Sequence, residues 1–294
     1  MNEVIIVNKE KGLTSHDVVN QLRKIFKTKR IGHTGTLDPI ATGVLVVCID
    51  EATKIVQFLE NDDKEYEAEI LIGLSSDTFD STGNIIDKKE VNQMTEDEID
   101  SLLYSFIGTY DQYPPKYSAI KLNGKKLYEY ARANQEVDIK PRKVTINEIK
   151  RITPLIFKNQ TLRFSFKCVV SKGTYIRSLC KDIGDKIGYP ALMNNLIRLR
   201  AGNFKIEDSS TIEQIKEGKY SSFKLIDCVK HLKKIDDERL INKALHGMKI
   251  SISNIIDILG DSPDEIAIVS QDNLIGIYQK DLELKCYRAV RVWN

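Results

Sequence analysis

Asp38 is the carboxylate whose surroundings most suggest chemistry. It lies in Gly32-His33-Thr34-Gly35-Thr36-Leu37-Asp38-Pro39-Ile40-Ala41-Thr42-Gly43, a stretch with three glycines, one proline and one acid. Glycine reaches backbone shapes closed to other residues, and proline fixes its own φ. The stretch runs into the apolar Val44–Ile49, so it reads as a tight loop delivering a strand. Pro39 biases Asp38 toward an extended or turn conformation. A carboxylate on a stiff loop at a strand mouth can serve as nucleophile or base, provided a partner keeps it ionised once water is removed. On turn chemistry alone the simpler reading leads, an Asp that accepts its own backbone N–H groups.

Two other features carry charge in telling places. Arg177 follows Ser171-Lys172-Gly173-Thr174-Tyr175-Ile176 and falls near the start of a helix marked by Ile176, Leu179, Ile183 and Ile187 and ended by Gly188. The helix dipole favours an acid there, so an Arg implies a carboxylate or phosphate partner elsewhere in the fold. Between Lys116 and Lys143 there are eight Lys or Arg against three acids, a net of +5, with Tyr117, Tyr128 and Tyr130 interleaved. Ammonium groups meet phosphates and rings stack on bases, so this segment suits RNA. A solvated loop with a short helix at 127–133 fits the same composition.

Other chemistries lack their residues. No GxxxxGK[ST], GxGxxG, GxSxG or HExxH occurs, and the four histidines (His16, His33, His231, His246) show no ligand spacing. The five cysteines are scattered, odd in number and form no CxxC, which argues against a disulfide framework or a cysteine zinc site. No apolar run is long enough to span a bilayer, and no secretory signal pattern opens the chain. A cytoplasmic protein is expected. The formal net charge is only +2, so any nucleic-acid surface must be local.

The elements that would position these groups follow from periodicity. Val4–Val7 and Val44–Ile49 read as strands, and His16–Phe26 as a helix capped by Thr14 or Ser15. Ala52–Leu59 reads as a short helix. Lys64–Ile72 alternates, with Tyr66, Ala68, Ile70 and Ile72 on one face, and Tyr66 is a core residue by default. Thr95–Glu98 is a capping box before Ile99, Leu102, Leu103 and Phe106. Thr145–Ile156 and Leu162–Val170 read as strands, and Thr211–Lys216 as helical. Leu196–Phe204 mixes basic and apolar positions and stops at a glycine. A charged stretch near 225–234 marks a boundary. Beyond it lies a small β-rich module with a hairpin whose strands, Ile266–Val269 and Leu274–Tyr278, flank Ser270–Asn273.

The Gly32–Gly43 motif resembles that of the bacterial TruB family of tRNA pseudouridine synthases. The likeness continues through Asn8–Ser15, Lys64-Glu65-Tyr66, Pro114–Lys121 with Gly124–Tyr128, Gly173–Arg177 and Leu196–Gly202, in family order over roughly residues 4–204. The resemblance implies an α+β fold: a catalytic domain over 1–234, with a mixed, mainly antiparallel central sheet flanked by helices and a thumb insertion at about 113–143. A PUA-like RNA-binding domain would follow at 235–294, with 244–248 its best-matching spot. It implies isomerisation of the T-loop uridine-55 of tRNA, with Asp38 as nucleophile on a flipped base, Arg177 as its ion-pair partner and Tyr66 stacking on the base and serving proton transfer. Arg177 would then lower the Asp38 pKa by about 1–3 units. Tyr175 and Leu196 would line the pocket and His33 would contact the RNA. Lys116, Lys121, Lys125, Lys126, Arg132 and Arg142 of the thumb would clamp the T-arm. The resemblance further implies no metal, no cofactor, no guide RNA and a monomer.

Overall fold

The computed structural model describes residues 2–59, 63–133 and 135–293. Its organising element is a mixed sheet with eleven strands among the described residues. The strands that position the site are β1 (Val4–Lys9), β2 (Ile31–Thr34), β3 (Thr42–Ile49), β4 (Lys64–Ile72), β5 (Gly108–Gln112), β6 (Arg142–Arg151), β7 (Thr161–Val170) and β8 (Ala191–Ala201). Across the sheet they run β1-β3-β8-β4-β7-β6-β5, and β2 hairpins onto β3. Only β3 and β8 pair in parallel among these neighbours, through Ile197 opposite Thr42 and Arg198 opposite Gly43. The helices are α1 (Ser15–Ile25), α2 (Glu96–Tyr104), α3 (Leu127–Arg132) and α4 (Ile176–Lys186), with shorter turns elsewhere. The architecture is α+β with a mixed, mainly antiparallel sheet, as the sequence leads one to expect.

Local sequence explains most of these elements. Every second residue of β4 from Lys64 to Ile72 is buried, the period of a strand with one face in the core. Thr14 and Asp17 form a reciprocal capping box that starts α1, and Thr95 and Glu98 do the same for α2. Two stretches fold differently from their sequence reading, and a third is a strand where the pattern assigned no element. The 52–59 region is a 3₁₀ turn, Asp50–Ile55, followed by a single α-turn, Val56–Leu59. The strand expected over 145–156 stops at Arg151, and Pro154 lies in the break before Ile156–Lys158. Proline has no N–H to continue a ladder. Leu196–Ala201 belongs to a long strand, β8, which turns at Gly202 into Phe204–Lys205.

One face of the sheet is buried along β4 and β7, and β1 and β3 are buried on both faces. On one face of the sheet, Tyr66, Ala68, Ile70, Phe164 and Phe166 pack with Leu179 and Ile183 of α4, and Leu37 and Ile40 of the Asp38 loop join the same cluster. Phe164 and Phe166 are almost fully buried, each contributing on the order of 1.5–3 kcal/mol. On the other, Val4, Ile6, Val44 and Val46 pack against Ala267, Val269, Leu274, Ile277 and Trp293. The first four of these belong to a five-stranded sheet ordered Lys233–Ile235, Glu265–Ser270, Asn273–Asp281, Cys286–Val292 and Ile250–Ser251, and Trp293 follows directly on its fourth strand. Its central hairpin turns at Gln271-Asp272, and its first strand begins at Lys233. Trp293 Nε1 donates to the Glu51 carbonyl at 3.0 Å and Lys54 Nζ to the Val292 carbonyl at 2.9 Å, joining the tail to the 3₁₀ turn after β3.

Candidate active site

The loop joining β2 to β3 carries Asp38, and its shape is fixed at several points. Gly35 and Gly43 have φ of +62° and +95°, conformations that suit glycine. A Cβ on Gly43 would stand 2.3 Å from the carbonyl oxygen of Arg198, so glycine is what lets β3 and β8 meet there. The Leu37 N–H donates to Ser15 Oγ at 2.9 Å, and the Gly12 N–H to the Pro39 carbonyl at 2.7 Å. Lys9, wholly buried at the end of β1, donates to the Leu13 carbonyl at 2.7 Å. Loss of hydration pushes its ammonium down to about 8, against the opposing pull of Asp38.

Asp38 and Arg177 meet across 139 residues of sequence. Arg177 Nη2 donates to Asp38 Oδ1 at 2.9 Å, and Nε lies 2.8 Å from Oδ2. The guanidinium is 5% exposed while the carboxylate keeps 33%, so the pair is open on the acid's side only. The Arg set against its helix dipole therefore has a carboxylate partner. The net effect on Asp38 differs from the expected lowering. Removal from water raises its pKa above the usual carboxylate value, Arg177 opposes that, and the nearby charge of Asp80 adds to it.

Asp80 is the component that sequence reasoning missed. It is 4% exposed, and its Oδ2 lies 3.8 Å from Arg177 Nη1. The Thr78 hydroxyl and the Thr82 N–H both donate to its Oδ1, at 2.8 and 2.9 Å. Arg177 Nη1 also donates to the Thr78 carbonyl at 3.2 Å. One buried guanidinium thus faces two carboxylates. The signal was the density of hydroxyls and acids in Ser75–Thr82, which reads as an ordinary polar loop.

The start of α4 is braced from β5. Tyr175, its N-cap, has no side-chain cap of its own. Gln112 substitutes for one: its Oε1 accepts from the Tyr175 N–H at 2.8 Å and its Nε2 donates to the Tyr175 carbonyl at 3.2 Å. Gln112 Nε2 also donates to the Tyr110 hydroxyl at 2.7 Å, which donates to Asp182 Oδ2 at 3.0 Å. Burial pushes the Asp182 carboxyl up to about 6. Burial also raises the Tyr175 phenol.

The remaining sequence candidates fall into two groups. Tyr66 (8% exposed) and Leu196 (5%) lie in the apolar cluster that holds Leu37 and Ile40, and so flank the Asp38 loop. His33 sits on β2 opposite Val47 rather than in the loop, and is half-buried. The thumb cations lie on the insertion between β5 and β6, except Arg142, which opens β6. A small hairpin pairs Lys121 with Lys126 and turns at Asn123 and Gly124, both with positive φ. Lys126 Nζ lies 5.4 Å and the Arg132 guanidinium 5.3 Å from the centre of the Tyr128 ring, and Lys125 Nζ lies 5.9 Å from Tyr130. Lys116, Lys121, Lys125, Arg132 and Arg142 are exposed and Lys126 is half-buried. The thumb root touches the ion pair directly, because Arg177 Nη2 also donates to the Tyr117 carbonyl at 3.0 Å.

A buried cation therefore orients a partly open carboxylate on a loop packed into the apolar cluster that holds Tyr66, and a basic insertion is rooted at the same point. That arrangement suits covalent or base catalysis on a nucleic-acid substrate.

Known proteins resemble this chain in sequence and in fold. Residues 23–176 match the TruB family pseudouridylate synthase N-terminal domain, and residues 177–234 match the tRNA pseudouridylate synthase B C-terminal domain. The tRNA pseudouridine synthase B of Staphylococcus aureus (strain MSSA476) is 45% identical over 300 residues, covering 97% of this chain and 97% of that protein. That of Bacillus pumilus (strain SAFR-032) is 49% identical over 218 residues, 74% of this chain and 71% of that one. Among solved structures, a Cbf5-Nop10-Gar1 complex aligns with a TM-score of 0.69 at 26% identity, covering 99% of this chain and 84% of its counterpart. An H/ACA RNP bound to a substrate RNA containing 2'-deoxyuridine aligns with a TM-score of 0.71 at 23% identity, over 99% and 85%, a likeness of fold.

Proposed function

The chain belongs to the TruB family of pseudouridylate synthases, and we propose that Asp38 is its nucleophile. Its activity is that of a tRNA pseudouridine(55) synthase, an isomerase acting on the T-loop uridine. The observation that carries the assignment of Asp38 is its paired contact with buried Arg177 on a carboxylate still one-third exposed.

In this reading the Asp38 carboxylate attacks the flipped uridine, at the base or at the anomeric carbon. The glycosidic bond breaks, the uracil rotates, and its carbon 5 bonds to the sugar. The bond to Asp38 breaks and returns the free carboxylate, carbon 5 gives up its proton and N1 of the uracil, freed from the sugar, takes one, so the product is an isomer of the substrate. Arg177 aims the carboxylate and stabilises its charge, offsetting the burial and the Asp80 repulsion that favour the protonated form. Tyr66 stacks on the base and serves the final proton transfer. Tyr175 and Leu196 line the pocket and His33 contacts the RNA beside it. No metal, cofactor or guide RNA takes part, and the enzyme acts as a monomer in the cytoplasm.

Extruding the base costs a few kcal/mol. Lys116, Lys121, Lys125, Lys126, Arg132 and Arg142 offset this by binding T-arm phosphates. Residues 1–234 form the catalytic domain and 235–294 a PUA-like unit. The tail's seven cations and ten acids give it a net charge of −3, against +5 for the thumb, so the phosphate clamp is assigned to the thumb. A purely RNA-binding role is the competing reading, and the same assay separates the two. A T-arm hairpin carrying 5-tritiated uridine should release tritium with purified protein alone. Binding without release would leave a non-catalytic RNA binder.

A further inference from the structure

We propose that Arg198 is a positioning residue that sets the Asp38 loop from beneath. Its side chain is 1% exposed and among the largest fully buried groups in the protein. The guanidinium reaches out of β8 to both ends of the loop. Nη2 donates to the Gly35 carbonyl at 2.8 Å, and Nε donates to the Val44 carbonyl at 2.7 Å. Gly35 opens the loop, and Val44 lies just past its close on β3. One rigid planar fork therefore fixes the separation of the two strands between which Asp38 is strung.

The backbone of the same residue reinforces this. Arg198 pairs with Gly43 in the only parallel contact between the catalytic strands, and with Tyr66 of β4 on its other side. The nucleophile's loop and the stacking tyrosine thus share one ruler. Among the described residues the hydrogen-bond acceptors of this guanidinium are carbonyl oxygens, and no carboxylate pairs with it. A buried charge without a counter-ion is costly to maintain, and an apolar residue would fill a strand interior more cheaply. What the Arg supplies instead is a planar fork that holds two carbonyls at one fixed spacing, where an ammonium is a point donor on a flexible stem. Gly35 shows how tight the contact is, since a Cβ there would lie 3.1 Å from Arg198 Nη1.

The proposal rests on Asp38 as nucleophile, and its test keeps the two apart. Arg198→Lys and Gly35→Ala perturb the same contact from opposite sides. Each would be assayed for single-turnover tritium release from the T-arm hairpin, for hairpin Kd and for urea unfolding. Misplacing a reacting group by about 1 Å costs up to ~100-fold in rate. Arg198→Lys should therefore lose ~10- to 100-fold in turnover with Kd within about twofold of wild type. Gly35→Ala should lose turnover with the same unchanged Kd. The double variant should lose less than the product of the two, because both break one contact. Wild-type turnover in Arg198→Lys, or multiplicative losses in the double variant, would overturn the proposal. If Arg198→Lys does not fold, Gly35→Ala decides: a wild-type rate rejects the role. Retained turnover in Asp38→Asn, run alongside, would instead sink the nucleophile on which the proposal rests.

Discussion

Replacing Asp182 by Asn should make the folded chain more stable near neutral pH. Asp182 lies on the helix that carries Arg177, and burial raises its carboxyl from 3.8 to about 6. A raised folded-state pKa favours the protonated acid. The stabilising proton is fully held below about 3.8 and is lost as pH rises through about 6, so above that range the ionised group costs stability. A shift of about 2 units corresponds to about 3 kcal/mol. The side chain is only partly buried, and solvent screening reduces this to about 1–2 kcal/mol. Asn keeps an oxygen to accept the Tyr110 hydroxyl, which donates to Asp182 at 3.0 Å, and carries no charge. Urea unfolding of both proteins at pH 8 and pH 5 is the assay. Asp182→Asn should have the higher midpoint at pH 8, and its advantage should shrink at pH 5. An Asn variant less stable at pH 8, or an advantage independent of pH, would refute the reasoning.

Two further outcomes follow from geometry and charge. Gly43→Ala places a Cβ 2.3 Å from the Arg198 carbonyl at a φ of +95°, so it should cost more than about 3 kcal/mol, read as a lowered urea midpoint; a loss under about 1 kcal/mol would show that β3 and β8 separate easily. Replacing the eight Lys and Arg between Lys116 and Lys143 by Gln should weaken hairpin binding and flatten its dependence on salt, since each phosphate contact releases counterions; an unchanged slope would place the clamp elsewhere.

The parts legible in the sequence were those written in local pattern. The alternation of Lys64–Ile72, the Thr95–Glu98 capping box and the tail hairpin all announced themselves by period or by turn residues. β8 did not. It carries register shifts between Met193 and Asn195 and between Arg198 and Arg200, and it buries an Arg, so neither period nor polarity marks it as a central strand. Asp80 was hidden for a related reason. Its burial comes from Arg177 and from the Thr78 and Thr82 donors folding over it, contacts that no spacing in Ser75–Asn84 encodes. The direction of the Asp38 shift was likewise not readable from charge pairing, because desolvation and Asp80 depend on the assembled site.

The Asp38→Asn variant tests the central claim most directly. Asn retains the size of the side chain and removes the nucleophilic carboxylate, while the thumb and the rest of the pocket are untouched. With the tritiated T-arm hairpin, binding should persist at close to the wild-type Kd and tritium release should fall to background. Tritium release at a rate near that of the unaltered chain would contradict the assignment of Asp38 as nucleophile.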